Sequence, residues 1–426
     1  MTDRGSMAAD ERSQAAGAAW YRRHGRWIGL AAVVLSVGWL TDAKLWRPQH
    51  RIADVENIQV GEAEAWWGGR LDLTERRWDT ALKDGRIYSH FPPLFSLIAA
   101  GAIPLLGGVP HLLIVLAIAL PVVILAFVFF RRRTGSTVWG VVLAIALLCG
   151  TSLFPVLGLA IRTASPFVVN QLLATIGVLI LLIEFFGRRR VWVAGIGLLI
   201  GCLSRQLTIA YAIPLVWMAW QAPVGVLRLR ALGGVAAAVV LCGAVLMTLN
   251  ALKFGHPLDT GYAYIYNDRP EDDLGRDAKT YGLFSPHFLV RNLYYMNLGF
   301  PDVHRIRVAD REQVRLRPNR MGTGIWWTTP LLLWLIFDIR KIVADRGSRM
   351  LLLAVALIVG ALLLFHATGW DQRGFNRFSL DYVIVLFAVI VPACLTGRRR
   401  WISLAMIAWS LVYFVIIQPM PNVRIF

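Results

Sequence analysis

Long apolar runs alternate with short basic ones along this chain. The apolar segments are Trp27 to Thr41, Leu94 to Leu106, Val109 to Phe130, Thr137 to Ala160, Pro166 to Phe186, Val191 to Ser204, Leu207 to Trp220, Ala231 to Ala251, Thr323 to Phe337, Met350 to His366, Leu380 to Leu395 and Trp401 to Gln418. Several hold about twenty residues with at most one charge, the length a helix needs to cross about 30 Å of hydrocarbon. A spanning segment must satisfy its own backbone polar groups, so the pattern predicts an all-α polytopic membrane protein.

Between the runs sit clusters of Arg and Lys: Arg22, Arg23 and Arg26; Arg131 to Arg133; Arg188 to Arg190; Arg228 and Arg230; Arg340, Lys341, Arg346 and Arg349; and Arg398 to Arg400. Short basic loops stay in the cytoplasm. Keeping every cluster inside makes Leu94 to Leu106 an interfacial helix that does not cross. About eleven transmembrane helices then remain, with the N-terminus in and the C-terminus out. The organisation that follows is a cytoplasmic tail (1–26), a membrane module (27–251) with a first extracytoplasmic loop (42–93), a long second loop (252–322) and C-terminal membrane helices (323–426).

Composition narrows the function classes. The net charge is +18, yet 57% of the 426 residues are hydrophobic and only 16% charged, against a usual quarter. The excess charge lies in the topology-setting clusters, so it points to anionic lipid and to no nucleic-acid partner. Cys149, Cys202, Cys242 and Cys394 all fall in apolar segments, which argues against a disulfide framework or a metal spacing. The first apolar stretch lacks a small-residue cleavage site and reads as an uncleaved helix. The segment centres are almost free of ionisable groups, which disfavours an ion-coupled carrier.

Four stretches carry chemistry in a telling order. They are ENIQVGEAEAWWGGRLDL followed by DGRIYSHFPPLFSLIAAGAIPLLGG; VAGIGLLIGCLSRQ; FGHPLDTGY with GLFSPHFLVRNLYY; and GWDQRGFNRFSLDYVIVL. Together they resemble the GT-C superfamily of polytopic glycosyltransferases, which includes the protein mannosyltransferases, the aminoarabinose transferases and the bacterial Rgt-type enzymes. The resemblance implies inverting transfer of one sugar from a polyprenyl-phosphate donor to a cell-envelope acceptor, whether glycan, lipid or protein. It also implies a site on the extracytoplasmic face of a bacterial cytoplasmic (inner) membrane. A first-loop carboxylate would take the acceptor proton, and cations would steady the departing lipid phosphate. Glu56 is the best positional match for that base, with Asp54 and Asp42 as alternatives. Arg377, Arg205 and Arg162 stand at segment ends where they could bind the donor phosphate. His90, Tyr88 and Trp370 are candidate substrate contacts. The late motif carries Arg377-Phe378 where relatives commonly have Arg-Tyr, so a phenol is missing there.

Plainer readings stand beside these. Arginines at segment ends also snorkel to headgroups, Trp66, Trp67, Trp326, Trp327 and Trp370 also serve as interface anchors, and the first-loop acids also suit a solvated helix face. Glu271, Asp272, Asp273 and Asp277 could draw a divalent cation, but a solvated acidic turn explains them as well, and no metal or other cofactor is assigned. A carrier or flippase for a lipid-linked sugar is the competing function, since it too needs a basic, apolar groove. A non-catalytic envelope subunit would tolerate loss of every outer acid.

Overall fold

The computed structural model of the protein describes residues 24–41, 57–77, 79–163, 166–269, 272–308, 311–370, 372 and 374–418. It is predominantly helical. Helix α1 (His24–Leu40) precedes the first loop. There α2 (Ile58–Trp67) starts where the Asn57 side chain accepts hydrogen bonds from the Gln59 and Val60 amides, an N-cap that satisfies two otherwise orphaned donors. Strands β1 (Thr80–Lys83) and β2 (Arg86–Ser89) pair antiparallel, Thr80 opposite Ser89 and Lys83 opposite Arg86. Asp84 and Gly85 close this hairpin with φ of 50° and 75°, the left-handed pair that a two-residue turn requires and an Asp-Gly sequence favours.

Next come α3 (Leu94–Leu106), α4 (His111–Ile114), α5 (Leu120–Thr134), α6 (Thr137–Cys149), α7 (Leu153–Thr163), α8 (Pro166–Phe185), α9 (Val191–Cys202), α10 (Ala212–Trp220) and α11 (Val226–Phe254). The second loop holds α12 (Asp273–Tyr281), α13 (Leu289–Leu293) and a hairpin of β3 (Asp302–Val308) with β4 (Arg311–Arg317). The chain ends through α14 (Ile325–Thr328), α15 (Leu333–Phe337), α16 (Ile339–Ala344), α17 (Arg346–Leu364), α18 (Val383–Cys394) and α19 (Arg399–Leu411). The helical expectation therefore stands, with two short hairpins in the loops that the apolar pattern did not announce.

Among the described residues, four helices are long and apolar enough to cross a membrane: Phe167–Phe185, Val226–Phe254, Arg346–Leu364 and Arg399–Ile417. A fifth span results if α6 and the start of α7, bent by 73° at their junction, count as one. The other apolar segments are shorter or broken. A 3₁₀ turn, Gln206–Tyr211, precedes α10, Pro392 lies within the last turn of α18, and Pro330 follows a break after α14; each removes an amide donor or tightens the turn. Helix α3 has 13 residues and, like α9 and α18, falls short of the about 20 of a straight span.

Burial separates centre from periphery. Every residue of α18 from Val383 to Val391 is buried, and 89% of the apolar window in α8 is covered, against 17% in α11. Thus α8 and α18 form the centre, and α11 turns most of its apolar surface outward.

The two ends of the bundle differ in charge. At one end the Arg133 guanidinium lies 4.3 Å from the Phe186 ring centre and Arg189 5.8 Å from that of Trp217. Arg190 holds the buried Glu184 through two hydrogen bonds of 3.0 and 2.5 Å, and Arg399 pairs with Asp338. The basic clusters thus converge at one end. The connections holding α2, α3, both hairpins and the 3₁₀ turn Arg377–Asp381 lie at the other, the loop end.

Candidate functional site at the loop end

Arg205 follows α9, whose glycines have a packing reason. A Cβ on Gly177 of α8 would meet the Gly197 carbonyl oxygen at 2.4 Å, and one on Gly197 the Gly177 oxygen at 2.5 Å. The two backbones therefore touch, which only glycine permits. The helix stops after Cys202, Arg205 turns extended with φ −147° and ψ 105°, and its side chain reaches Asp381 just ahead of α18. Nε and Nη2 donate to the two carboxylate oxygens at 2.9 and 2.5 Å, a planar two-point pairing that an ammonium could not reproduce. Tyr211 donates from its hydroxyl to the Asp381 carbonyl at 2.5 Å.

Further contacts hold the turn that carries Arg377. The Ser379 and Ser152 hydroxyls lie 2.6 Å apart, and Gln171 of α8 donates to the Arg377 carbonyl at 3.2 Å. The Arg377 guanidinium sits 5.0 Å from the Phe167 ring centre and 5.1 Å from that of Phe378. Arg205 lies 5.4 Å from the same Phe378 ring. Where a phenol was missed in the sequence, an aromatic face serves two cations at once.

His90 enters from the first loop, two residues before Pro92. Its ring centre is 4.3 Å from Phe91 and 4.5 Å from Tyr262, and Phe91 meets Phe167 at 5.1 Å. Burial, with Lys253 nearby, holds the imidazole down at about 3, so it is neutral at physiological pH. Tyr262 brings a phenol among Arg205, Arg377, Asp79 and Asp381. Burial raises it above its ordinary range, while the two guanidiniums pull it back.

A second polar group flanks this one. Glu62 of α2 is wholly buried; it accepts from the Ser96 hydroxyl at 2.5 Å and from the Lys253 ammonium of α11. Lys253 also donates to the Ser89 carbonyl at 3.1 Å, and Gln59 donates to the Pro92 carbonyl at 2.8 Å. These bonds bind α2, the His90 segment and the end of α11 into one unit. The two loops are joined as well: Arg76 donates to Asp268 at 2.8 Å and to the Ile265 carbonyl at 3.0 Å, holding Asp268 down at about 2.

The structure thus gathers Arg205, Arg377 and His90 from segments far apart in sequence. Tyr88 lies beside them in a different role, packing edge-on to Phe254 at 5.7 Å in a small cluster with Ala81. Trp370 lies under Arg291, 5.7 Å from its guanidinium, and Arg291 pairs with Asp277. Asp272 caps α12 and Asp273 pairs with Arg276. Glu56, Asp54, Asp42 and Glu271 lie outside the described residues, as does the side chain of Arg162. Asp381, Tyr262 and Glu62 fall inside the quoted stretches but were given no role there, and Lys253 was not singled out. A lone lysine closing a long apolar run was the available signal for Lys253; for Asp381 it was the Asp that ends the RFSLD stretch, and for Tyr262 its place at the end of FGHPLDTGY.

No family of known proteins matches the chain, and no curated protein matches it. Among solved structures it is similar to the oligosaccharyltransferase of Archaeoglobus fulgidus in its apo form, with 13% sequence identity and a TM-score of 0.47, covering 93% of this chain and 55% of that one. The chain spans about half the length of that protein.

Proposed function

We propose that the protein is an integral-membrane glycosyltransferase of the GT-C type that moves a sugar, with inversion, from a polyprenyl-phosphate donor to a cell-envelope acceptor on the extracytoplasmic face. The observation that carries this reading is the meeting of Arg205, Arg377, His90 and Tyr262 at the end of the bundle opposite the basic clusters. In this reading the chain crosses the membrane eleven times with the loop end outside. Arg377 and Arg205, with Arg162, bind the lipid phosphate and stabilise it as it leaves. A first-loop carboxylate, Glu56 or its neighbours Asp54 and Asp42, removes the acceptor proton. The neutral His90 contributes hydrogen bonding without adding a charge. The acceptor oxygen bonds to the anomeric carbon as its proton passes to the carboxylate, the bond from that carbon to the phosphate oxygen breaks, and the electron pair leaves on the phosphate.

The test is purified protein incubated with a panel of polyprenyl-phosphate sugars and an envelope extract, with products identified by mass spectrometry. Transfer from at least one donor is expected. Movement of the lipid-linked sugar between leaflets without any transfer would favour the flippase reading instead.

A further inference from the structure

One helical stretch of the second loop carries its apolar face outward and its polar face inward. Helix α13 (Leu289–Leu293) runs on as a wider π turn, Tyr294–Leu298. Along it Leu289, Val290, Leu293, Tyr294 and Leu298 are exposed, Val290 by 76%, and the exposed Phe300 follows them. The opposite face holds the polar groups. Asn292, 0% exposed, donates to the Leu363 and Phe365 carbonyls at 2.9 and 2.8 Å, which satisfies acceptors left over at the end of α17; its own side-chain oxygen accepts from the Gly369 amide at 2.8 Å. Arg291 donates to Asp277 at 3.0 Å and to the His366 carbonyl. A surface helix in water has these faces the other way round, and an exposed apolar patch of this kind marks an interaction surface.

The level of this face along the bundle indicates what covers it. Asn292 ties it to the last turn of α17, one of the helices long and apolar enough to cross a membrane. Phe300 meets Trp327 at 5.3 Å, and Trp327 meets Trp409 of α19, a second such helix, at 5.4 Å. At about 1.5 Å per residue, Trp409 stands roughly 15 Å along α19 from Arg399 at its basic end, half of about 30 Å of hydrocarbon. The face therefore joins α17 and α19 at the level of their apolar lengths, where the surroundings are acyl chains. A helical stretch can lie there because its amides and carbonyls bond within it, and the tyrosine and tryptophan at its edge are residue types that gather at the membrane boundary.

We infer that residues 289–300 are a re-entrant stretch of the second loop whose apolar face lies among the acyl chains of the leaflet on the loop side, a lipid anchor that holds this part of the loop against the bilayer. This rests on α17 and α19 crossing the membrane, as in the reading above, and on nothing in the transfer chemistry. The experiment places a nitroxide on the full-length protein in phosphatidylcholine vesicles, at one introduced cysteine at a time: Val290→Cys or Leu293→Cys on the face, Leu357→Cys on the exposed side of α17, and Lys279→Cys at an exposed charged position of α12. The four native cysteines are buried and leave the label to the introduced one. Relaxation by oxygen, which concentrates in acyl chains, is compared with relaxation by a neutral nickel chelate, which stays in water. The expected result is an oxygen-to-nickel ratio at Val290 and Leu293 that matches Leu357 and exceeds Lys279. A ratio at both positions as low as at Lys279, with Leu357 still favouring oxygen, would put the face in water and overturn the anchor. Shielding of both positions from both reagents would overturn it too, since a protein partner, such as a second copy of the chain, then covers the face. A preference for nickel at Leu357 as well would overturn the crossing of α17 and the anchor with it, so a failure of the membrane reading is told apart from a failure of the anchor alone.

Discussion

At the scale of single residues, the site depends on fixed planar geometry as much as on charge. Replacing Arg377 or Arg205 by Lys keeps the charge but loses the fork that grips two oxygens, so donor use should fall in both variants, read as a raised KM for the lipid-phosphate donor. Unaltered kinetics in both would remove them from the site. For the base, Glu56→Gln keeps size and polarity but cannot take a proton. Turnover should drop by about 10² to 10⁴ with donor binding retained, and Asp54→Asn and Asp42→Asn measured in parallel decide which acid acts. His90 sets a pH dependence of stability. Its folded value, about 3, lies below the usual 6.5, so between those limits the unfolded chain takes up a proton that the folded protein refuses. Stability should be full above pH 6.5 and decline as pH falls toward 3. His90→Phe should flatten that part of a thermal-denaturation profile, and an unchanged slope would contradict the burial of the imidazole.

At the scale of elements, two contacts hold the site in place from behind. Where α8 meets α9, a side chain at Gly177 has no room, since its Cβ would sit 2.4 Å from a carbonyl oxygen. Gly177→Ala should therefore push the helices apart at a cost of about 1–3 kcal/mol, visible as a lower Tm, and by displacing Arg205 should weaken donor use; Gly233→Ala on α11, where a Cβ meets nothing within 4 Å, is the control. Between α2 and α11 the Glu62–Lys253 pair is almost completely enclosed, its side chains 0% and 4% exposed. Breaking it on one side leaves a lone buried charge, a loss of about 3–5 kcal/mol. Glu62→Gln or Lys253→Met alone should lower Tm strongly, whereas the double variant should recover much of the loss. Equal Tm values for the single and double variants would show that the pairing does not set the stability.

At the scale of the whole molecule, the charge asymmetry between the two ends makes a topological claim that can be checked from either side of the membrane. Cysteines placed at Gly135, next to the Arg131–Arg133 cluster, and at Gly85, at the tip of the first hairpin, should be labelled from opposite faces. Because the four native cysteines are all buried, a membrane-impermeant maleimide should report the introduced sites. The reading proposed here requires Gly85 to react from outside and Gly135 from inside. The reverse pattern would invert the molecule and put the site in the cytoplasm.

Much of the architecture was legible without coordinates, because a hydrocarbon solvent acts on segments one at a time. Twenty apolar residues announce a helix wherever they stand, and the clusters at Arg131 to Arg133 and Arg188 to Arg190 mark one end of the bundle through their own charge. The helix Leu94–Leu106 stands at the bounds its apolar run marked. Arg205 and Arg377 were conspicuous because a cation at the end of an apolar run is costly. What only the tertiary structure decided is which groups meet. Asp381 lies 176 positions from Arg205 and Glu62 191 from Lys253; neither separation has a local period that would betray it. Tyr262, at the end of the FGHPLDTGY stretch, had no role until the structure put the His90 ring against it. Local propensity and solvent preference act on neighbours in the chain, whereas a site is made by neighbours in space, and only packing brings those together.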